Sequence, residues 1–229
     1  MIPLRDNIPS KSFPIVTWFL ILVNLVIFLA EVFFMDQQQA ESLIYKYGLI
    51  PNQIRLGGLT SLNEIRITIL RPFFTNMFLH GGWGHIIANM WILFIFGDNV
   101  EDRMGKIGYF LFYILCGLLA SFTHFILHMH SEVPAIGASG AISGVMAAYM
   151  FMFPKSNILS FVPIIIIPLF IPIPAIIYIG LWFIGQLLSG ASSLMLSSSA
   201  TGIAFWAHIG GFLGGILLYR LFDKSRYNK

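Results

Sequence analysis

The sequence predicts an all-α polytopic membrane protein, a bundle of six transmembrane helices. Three observations carry that prediction. Of 229 residues, 57% are hydrophobic and only 10% charged, where a soluble domain is normally about 25% charged; the mean hydropathy is +0.82. Charge is also absent over long stretches: no Asp, Glu, Lys or Arg occurs from Ser156 to Tyr219, and Glu132 is the only one from Ile107 to Pro154. Finally, the apolar runs approach the roughly 20 residues that a helix needs to cross a bilayer.

The first run covers about 14–34, behind Arg5 and Lys11. It outlasts the roughly 7–15-residue core of a signal peptide and lacks a convincing small-residue cleavage site, so it reads as an uncleaved span. The polar segment 35–75, with "DQQQAES", is too long for a turn and is expected to carry short interfacial helices. A second span at 84–101 and a third at 107–129 are joined by the charged turn "GDNVEDRMGK", where Glu101 and Arg103 are expected at a solvated helix end, bonding in part to the next span. The remaining spans fall at 139–153, 172–190 and 202–222. Between the fourth and fifth, Pro154, Pro163, Pro168, Pro172 and Pro174 remove backbone donors, so 154–174 is expected to be an irregular loop. The "LSSSAT" run before the sixth reads as a flexible connector. No internal repeat is visible, and residues 1–229 read as one membrane domain.

Arg5, Lys11, Arg103, Lys106, Lys155 and the basic tail all fall on one side of a six-span chain, while the short loops 130–138 and 191–201 carry no Lys or Arg. Basic residues mark the cytoplasmic side, which places both termini there. The net charge of +3 is thereby explained without a nucleic-acid partner. The single cysteine, Cys116, excludes an internal disulfide and reads as a packing residue. The compact six-span form is expected in a prokaryotic cell membrane.

Orientation turns scattered polar residues into a site. Spans two, four and six all enter from the outer face. His85 and Asn89 lie in the first turns of span two, Ser139 opens span four, and His208 lies six residues into span six. At 1.5 Å per residue, each is within about 10 Å of the outer boundary. His85 and Asn89, four apart, share a helix face. Gly140, Gly144 and Ala148 form a small-residue ridge on span four, and Gly210, Gly211, Gly214 and Gly215 do so on span six; such ridges let backbones approach closely in lipid. Packing along them would bring Ser139 Oγ within hydrogen-bond reach of His208, the geometry of a serine nucleophile and its base. No carboxylate lies in this layer, so a dyad without an orienting Asp is expected. Asn89, His85 and the Ser139 N–H at a helix start could stabilise an oxyanion.

Four pieces resemble the rhomboid intramembrane serine proteases: "RPFFTNMFLHGGWGHIIAN", "VEDRMGKIGYFLFYILCG", "GASGAISG" and "AHIGGFLGG", in this order from Arg71 to the end of span six. The resemblance implies a rhomboid-like six-helix bundle, with Ser139 as nucleophile and His208 as general base. It implies His85 and Asn89 as oxyanion stabilisers, with Gly137 and Gly140 shaping the turn at the serine; Gly211 supports the packing of span six. It implies cleavage of other membrane proteins in or near unstable transmembrane segments, without metal or cofactor. Two positions depart from the family pattern. Leu70 precedes Arg71 where a Trp is common, and Ser143 stands four residues after the serine where an aromatic often packs on the histidine. Trp206 or an aromatic of span five is expected to support His208 instead.

A lone membrane serine bonds its own helix backbone cheaply, and a lone histidine serves equally well as an interhelical hydrogen bond. The convergence of four polar groups on one layer favours a site. His80 reads as structural. His124 and His128, spaced i, i+4, suit a metal, but no carboxylate or Cys completes a ligand set, so with His130 they read as interfacial. A scaffold that binds transmembrane segments without cutting is the alternative function; such proteins typically lack the serine or the histidine. A transporter would place polar groups near the midplane, and "GASGA" lacks the second glycine of a hydrolase G-x-S-x-G elbow.

Overall fold

A computed structural model describes residues 1–57, 70–164, 167–195 and 204–224. The "LSSSAT" connector lies outside the described residues. In chain order the elements are β1 (Ile2–Asp6), α1 (Ile15–Phe34), α2 (Gln37–Tyr47), α3 (Pro51–Gly57), a short helix α4 (Leu70–Phe78), α5 (Trp83–Met104), α6 (Lys106–Leu127), α7 (Ser139–Met152), β2 (Asn157–Ile164), β3 (Ile167–Pro174), α8 (Ala175–Met195) and α9 (Phe205–Phe222).

Helices stand at all six expected positions. By length and composition, α1, α6, α8 and α9 can cross a membrane, and α5 qualifies when joined to α4 across an 87° bend. Among the described residues, four or five helices meet this measure, and the expected count of six is not confirmed by it. Helix α7 has only 14 residues, about 21 Å at 1.5 Å per residue, short of the roughly 30 Å hydrocarbon core. It compensates by burial: Gly140 through Tyr149 are all buried, enclosed by α5, α6, α8 and α9. The lipid-facing surface is apolar elsewhere, as at Leu217 and Leu221, 74% and 70% exposed.

Glycines set how closely the inner helices approach. A Cβ on Gly215 would overlap the Gly144 backbone, and one on Gly144 would lie 2.5 Å from Cys116 Sγ. The packing role read for Cys116 therefore holds, since the thiol side chain fills the space that Gly144 leaves.

Residues 154–174 are not the irregular loop that five prolines suggested. They form a hairpin, β2 paired to β3 from Asn157↔Pro174 to Ile164↔Ile167, and β1 adds on the other side of β2 to give the order β1-β2-β3. The prolines obey the ladder instead of breaking it. Pro163 faces Pro168, and two residues without N–H groups can only be a non-hydrogen-bonded pair. Antiparallel pairs alternate, so Leu159↔Pro172 and Asn157↔Pro174 are non-hydrogen-bonded too. Each missing donor of β3 thus falls on its open edge, where proline costs no ladder bond and blunts the edge.

The charged turn is likewise not solvated throughout. Glu101 is 2% exposed and reaches back to α1, not onward to α6. Its carboxylate accepts the N–H groups of Val16 and Thr17 and the Thr17 hydroxyl at 2.8–3.0 Å. Pro14 at the start of α1 gives no side-chain cap, so the buried acid satisfies the orphan donors of that first turn. Asp102 accepts from Ser10, Lys11 and Ser12, and Arg103 pairs in bidentate fashion with Asp223 beyond α9. These bonds gather the expected basic loops at one end of the bundle. Asp6 joins them, accepting from Tyr149 Oη at 2.5 Å and Asn99 Nδ2 at 3.0 Å.

At the opposite end the long first loop does carry helices. Asp36 and Gln39 form a reciprocal capping box on α2. Arg71 donates to Lys46 O and lies over the Tyr47 ring at 4.6 Å, so it anchors the loop with Leu70 in place of an aromatic. Leu49 and Ala135 exchange backbone bonds of 3.0 and 2.9 Å, tying this loop to the segment before α7.

Candidate active site

The site forms where α5, α7, α8 and α9 meet at that second end. Gly137 reaches α7 with φ +124°, a conformation L side chains rarely adopt. Space demands glycine as well: a Cβ there would come 2.6 Å from His85 Nε2. Its N–H donates to Asn76 O at 2.8 Å, and Asn76 is braced by Ser121 Oγ at 2.9 Å. The chain then turns into α7 at Ser139. As the first helical residues, Ser139, Gly140 and Ala141 have N–H groups with no intrahelical acceptor.

Ser139 Oγ lies 2.8 Å from His208 Nε2. What allows this is the backbone contact one residue on: Gly211 packs so tightly on the Gly140 carbonyl that no Cβ fits. His208 precedes Gly211 by three residues, on the same face of α9. Both Ser139 and His208 are only partly buried.

His85 and Asn89 approach the same turn from α5. The His85 Nδ1 accepts the Gly81 N–H at 3.4 Å, so in a neutral ring the proton sits on Nε2, which faces Gly137. Asn89 is buried, and its Nδ2 has no hydrogen-bond partner among the described residues. That nitrogen would lie 3.6 Å from a Cβ on Gly137. Two unspent donors therefore converge beside the turn that presents Ser139. A cavity of about 20 Å³ lies behind the serine, lined in part by Asn76, Ser121 and His124, with room for about one water molecule.

Sequence reasoning missed one residue. His208 Nδ1 lies 2.7 Å from Gln186 Oε1 on α8. The signal was present: Gln186 is the only amide side chain between Asn157 and Asn228. The aromatic neighbour of His208 is Trp182, also on α8, with ring centroids 5.9 Å apart. Trp206 instead donates Nε1 to Gly190 O at 3.2 Å. Ser143 turns back to its own helix and donates to Ser139 O at 2.6 Å.

The other histidines make no hydrogen bond to Ser139 or His208 among the described residues. His80 is buried with its ring edge-on to His85. His124 and His128 stack at 4.6 Å, and His124, in the last turn of α6, is buried. Among the described residues no group of three or more His, Cys, Asp or Glu could hold a metal ion.

A helical, multi-pass membrane protein with a serine and a histidine in contact near one end of its bundle is a protein with the fold of an intramembrane protease. The model of the Rhomboid domain matches residues 68–224, well over half of the chain, and the chain belongs to the rhomboid family. It is 31% identical over 144 residues to Rhomboid-like protein 11, chloroplastic, of Arabidopsis thaliana, covering 62% of this chain and 44% of that protein. It is 25% identical to the mitochondrial RHOMBOID-like protein 12 of the same plant, over 73% of this chain and 51% of that one. Rhomboid protein 1, mitochondrial, of Saccharomyces cerevisiae is 30% identical over 61% of this chain and 38% of its own length. The chain thus spans about half or less of the length of these relatives. Their names place them in organelles, which lends no support to the expected prokaryotic cell membrane.

Proposed function

We propose that this protein is an intramembrane serine endopeptidase that hydrolyses peptide bonds in or near transmembrane segments of other membrane proteins. The observation that carries the reading is the 2.8 Å contact of Ser139 Oγ with His208 Nε2, made at a helix start with spare donors around it. In this reading Nε2 takes the hydroxyl proton as Oγ attacks the scissile carbonyl carbon. The carbonyl oxygen becomes an oxyanion, held by His85 Nε2–H, Asn89 Nδ2 and the free N–H groups that open α7. His208 then passes its proton to the leaving amine, the C–N bond breaks, and an ester remains on Ser139. Water, deprotonated by His208, hydrolyses that ester and regenerates the hydroxyl.

Residues 1–229 act as one membrane domain, with both termini on the cytoplasmic side and the site near the opposite face. Substrates are membrane proteins whose transmembrane segments unwind readily, because an intact helix hides its carbonyls. Reaction with a fluorophosphonate probe tests the assignment. Wild-type protein becomes covalently labelled and cuts a transmembrane peptide; Ser139→Ala does neither while keeping its melting temperature. Labelling or cutting by that variant refutes the role of Ser139, and an inert wild-type protein favours a non-cutting scaffold.

A further inference from the structure

The mechanism above uses only one nitrogen of His208. The other, Nδ1, faces Gln186 Oε1 at 2.7 Å. Trp182, Gln186 and Gly190 are spaced four apart and share one face of α8. All three touch the beginning of α9: Trp182 lies beside the His208 ring, Gln186 bonds it, and Gly190 O receives the Trp206 indole N–H. The register of α8 against α9 is therefore held on both sides of the amide.

We propose that Gln186 is the positioning residue of the histidine base: its amide oxygen accepts the Nδ1–H of His208 and so selects the tautomer whose Nε2 is unprotonated toward Ser139. The inference rests on the protease reading. A neutral imidazole carries one ring proton, and a base needs it on the nitrogen remote from the nucleophile. Ser139 cannot enforce this, because a hydroxyl donates or accepts with equal ease. Gln186 presents its amide oxygen to Nδ1, and an oxygen there can only accept, which favours the proton on that nitrogen.

An amide suits the location. A carboxylate would orient the ring equally well, but an ion is costly at membrane depth. No Asp, Glu, Lys or Arg occurs on α7, on α8, or on α9 before Arg220. Among the described residues, the ionisable side chains that face His208 from the packed helices are His85 of α5 and His124 of α6, both histidines. Gln186 thus gives direction without adding a charge.

The test uses the full-length protein in detergent, with Gln186→Leu, Gln186→Glu and wild type compared. Gln186→Leu removes the acceptor: kcat for a transmembrane peptide falls about tenfold or more, KM stays within about twofold, and Ser139 labelling slows in parallel. Gln186→Glu keeps the acceptor and adds a charge, so it retains turnover with the rising limb of its kcat/KM profile moved to higher pH. In 15N-histidine spectra, the His208 signal, identified by its loss in His208→Ala, shows wild type protonated at Nδ1 and Gln186→Leu as a mixture of tautomers. Wild-type kcat and pH profile in Gln186→Leu, or a resting proton on Nε2 in wild type, overturns the proposal. Should Gln186→Leu fail to fold, the wild-type spectrum and Gln186→Glu still decide. A wild-type protein that neither labels nor cuts sinks the protease reading instead.

Discussion

Gly211 and Gly140 meet backbone to backbone, so closely that a methyl group on Gly211 would overlap the Gly140 carbonyl. Gly140 is the neighbour of Ser139, and Gly211 is one helical turn from His208. The distance between the Ser139 and His208 side chains is therefore set by two residues with no side chain.

Gly211→Ala forces α7 and α9 apart at that contact, and overpacking typically costs about 1–3 kcal/mol. The obstacle is backbone, which cannot rotate away as a side chain could. A lowered melting temperature and loss of Ser139 labelling are expected together. Gly180→Ala is the control, since nothing lies within 4 Å of a Cβ there; its melting temperature should match wild type. Normal labelling by Gly211→Ala would show that this contact does not set the site.

Asn89→Ala tests the oxyanion role. Its Nδ2 has no partner among the described residues, so its removal breaks no bond seen there. Loss of one such donor typically lowers kcat by about 10²–10³, with little change in KM because the charge develops only in the transition state. Steady-state kinetics on a transmembrane peptide decide. An unaltered kcat removes Asn89 from the chemistry.

Glu101→Ala should destabilise the bundle without touching the site. Three bonds to the first turn of α1 disappear from a buried position. Bonds to a charged group contribute about 1.5–3 kcal/mol each, net, when both partners are buried, and they are not additive. A loss of about 2–3 kcal/mol is expected from thermal or denaturant unfolding, and kcat of the folded fraction stays at the wild-type value.

Asp6 predicts a pH effect. Burial beside the sheet pushes its carboxyl above the ordinary value of 3.8, although its bond from Tyr149 opposes that shift. A folded-state value above the unfolded one means that ionisation costs stability. The cost is present at neutral pH, shrinks as pH falls through the raised value, and vanishes below 3.8, where both states are protonated. Asp6→Asn keeps an oxygen for Tyr149 and Asn99 but cannot ionise. It should melt higher than wild type near neutral pH, with the advantage gone near pH 4. A constant difference across that range would mean that folding does not shift the titration of the carboxyl.

Much of this was readable before folding. The six helices appear within a few residues of the hydrophobic runs, because in lipid a backbone must satisfy its own hydrogen bonds and composition alone marks where it does. Ser139, His208, His85 and Asn89 stood out because polar groups are rare at that depth. The hairpin did not, because proline's effect depends on which edge of a strand its nitrogen faces, and that requires the register. Glu101 read as solvated because burial of an acid is visible only once the start of α1 lies against it.

By itself the sequence determined that this chain lives in a membrane, where its apolar helices run, and which rare polar side chains stand among them, since each of these follows from local composition and spacing. Only the tertiary structure decided that Gln186 faces the second nitrogen of His208, that Trp182 rather than Trp206 flanks the ring, and that prolines line a free strand edge. Those are contacts between segments distant along the chain, and their geometry comes from how helices close on one another at glycines and from how strands register.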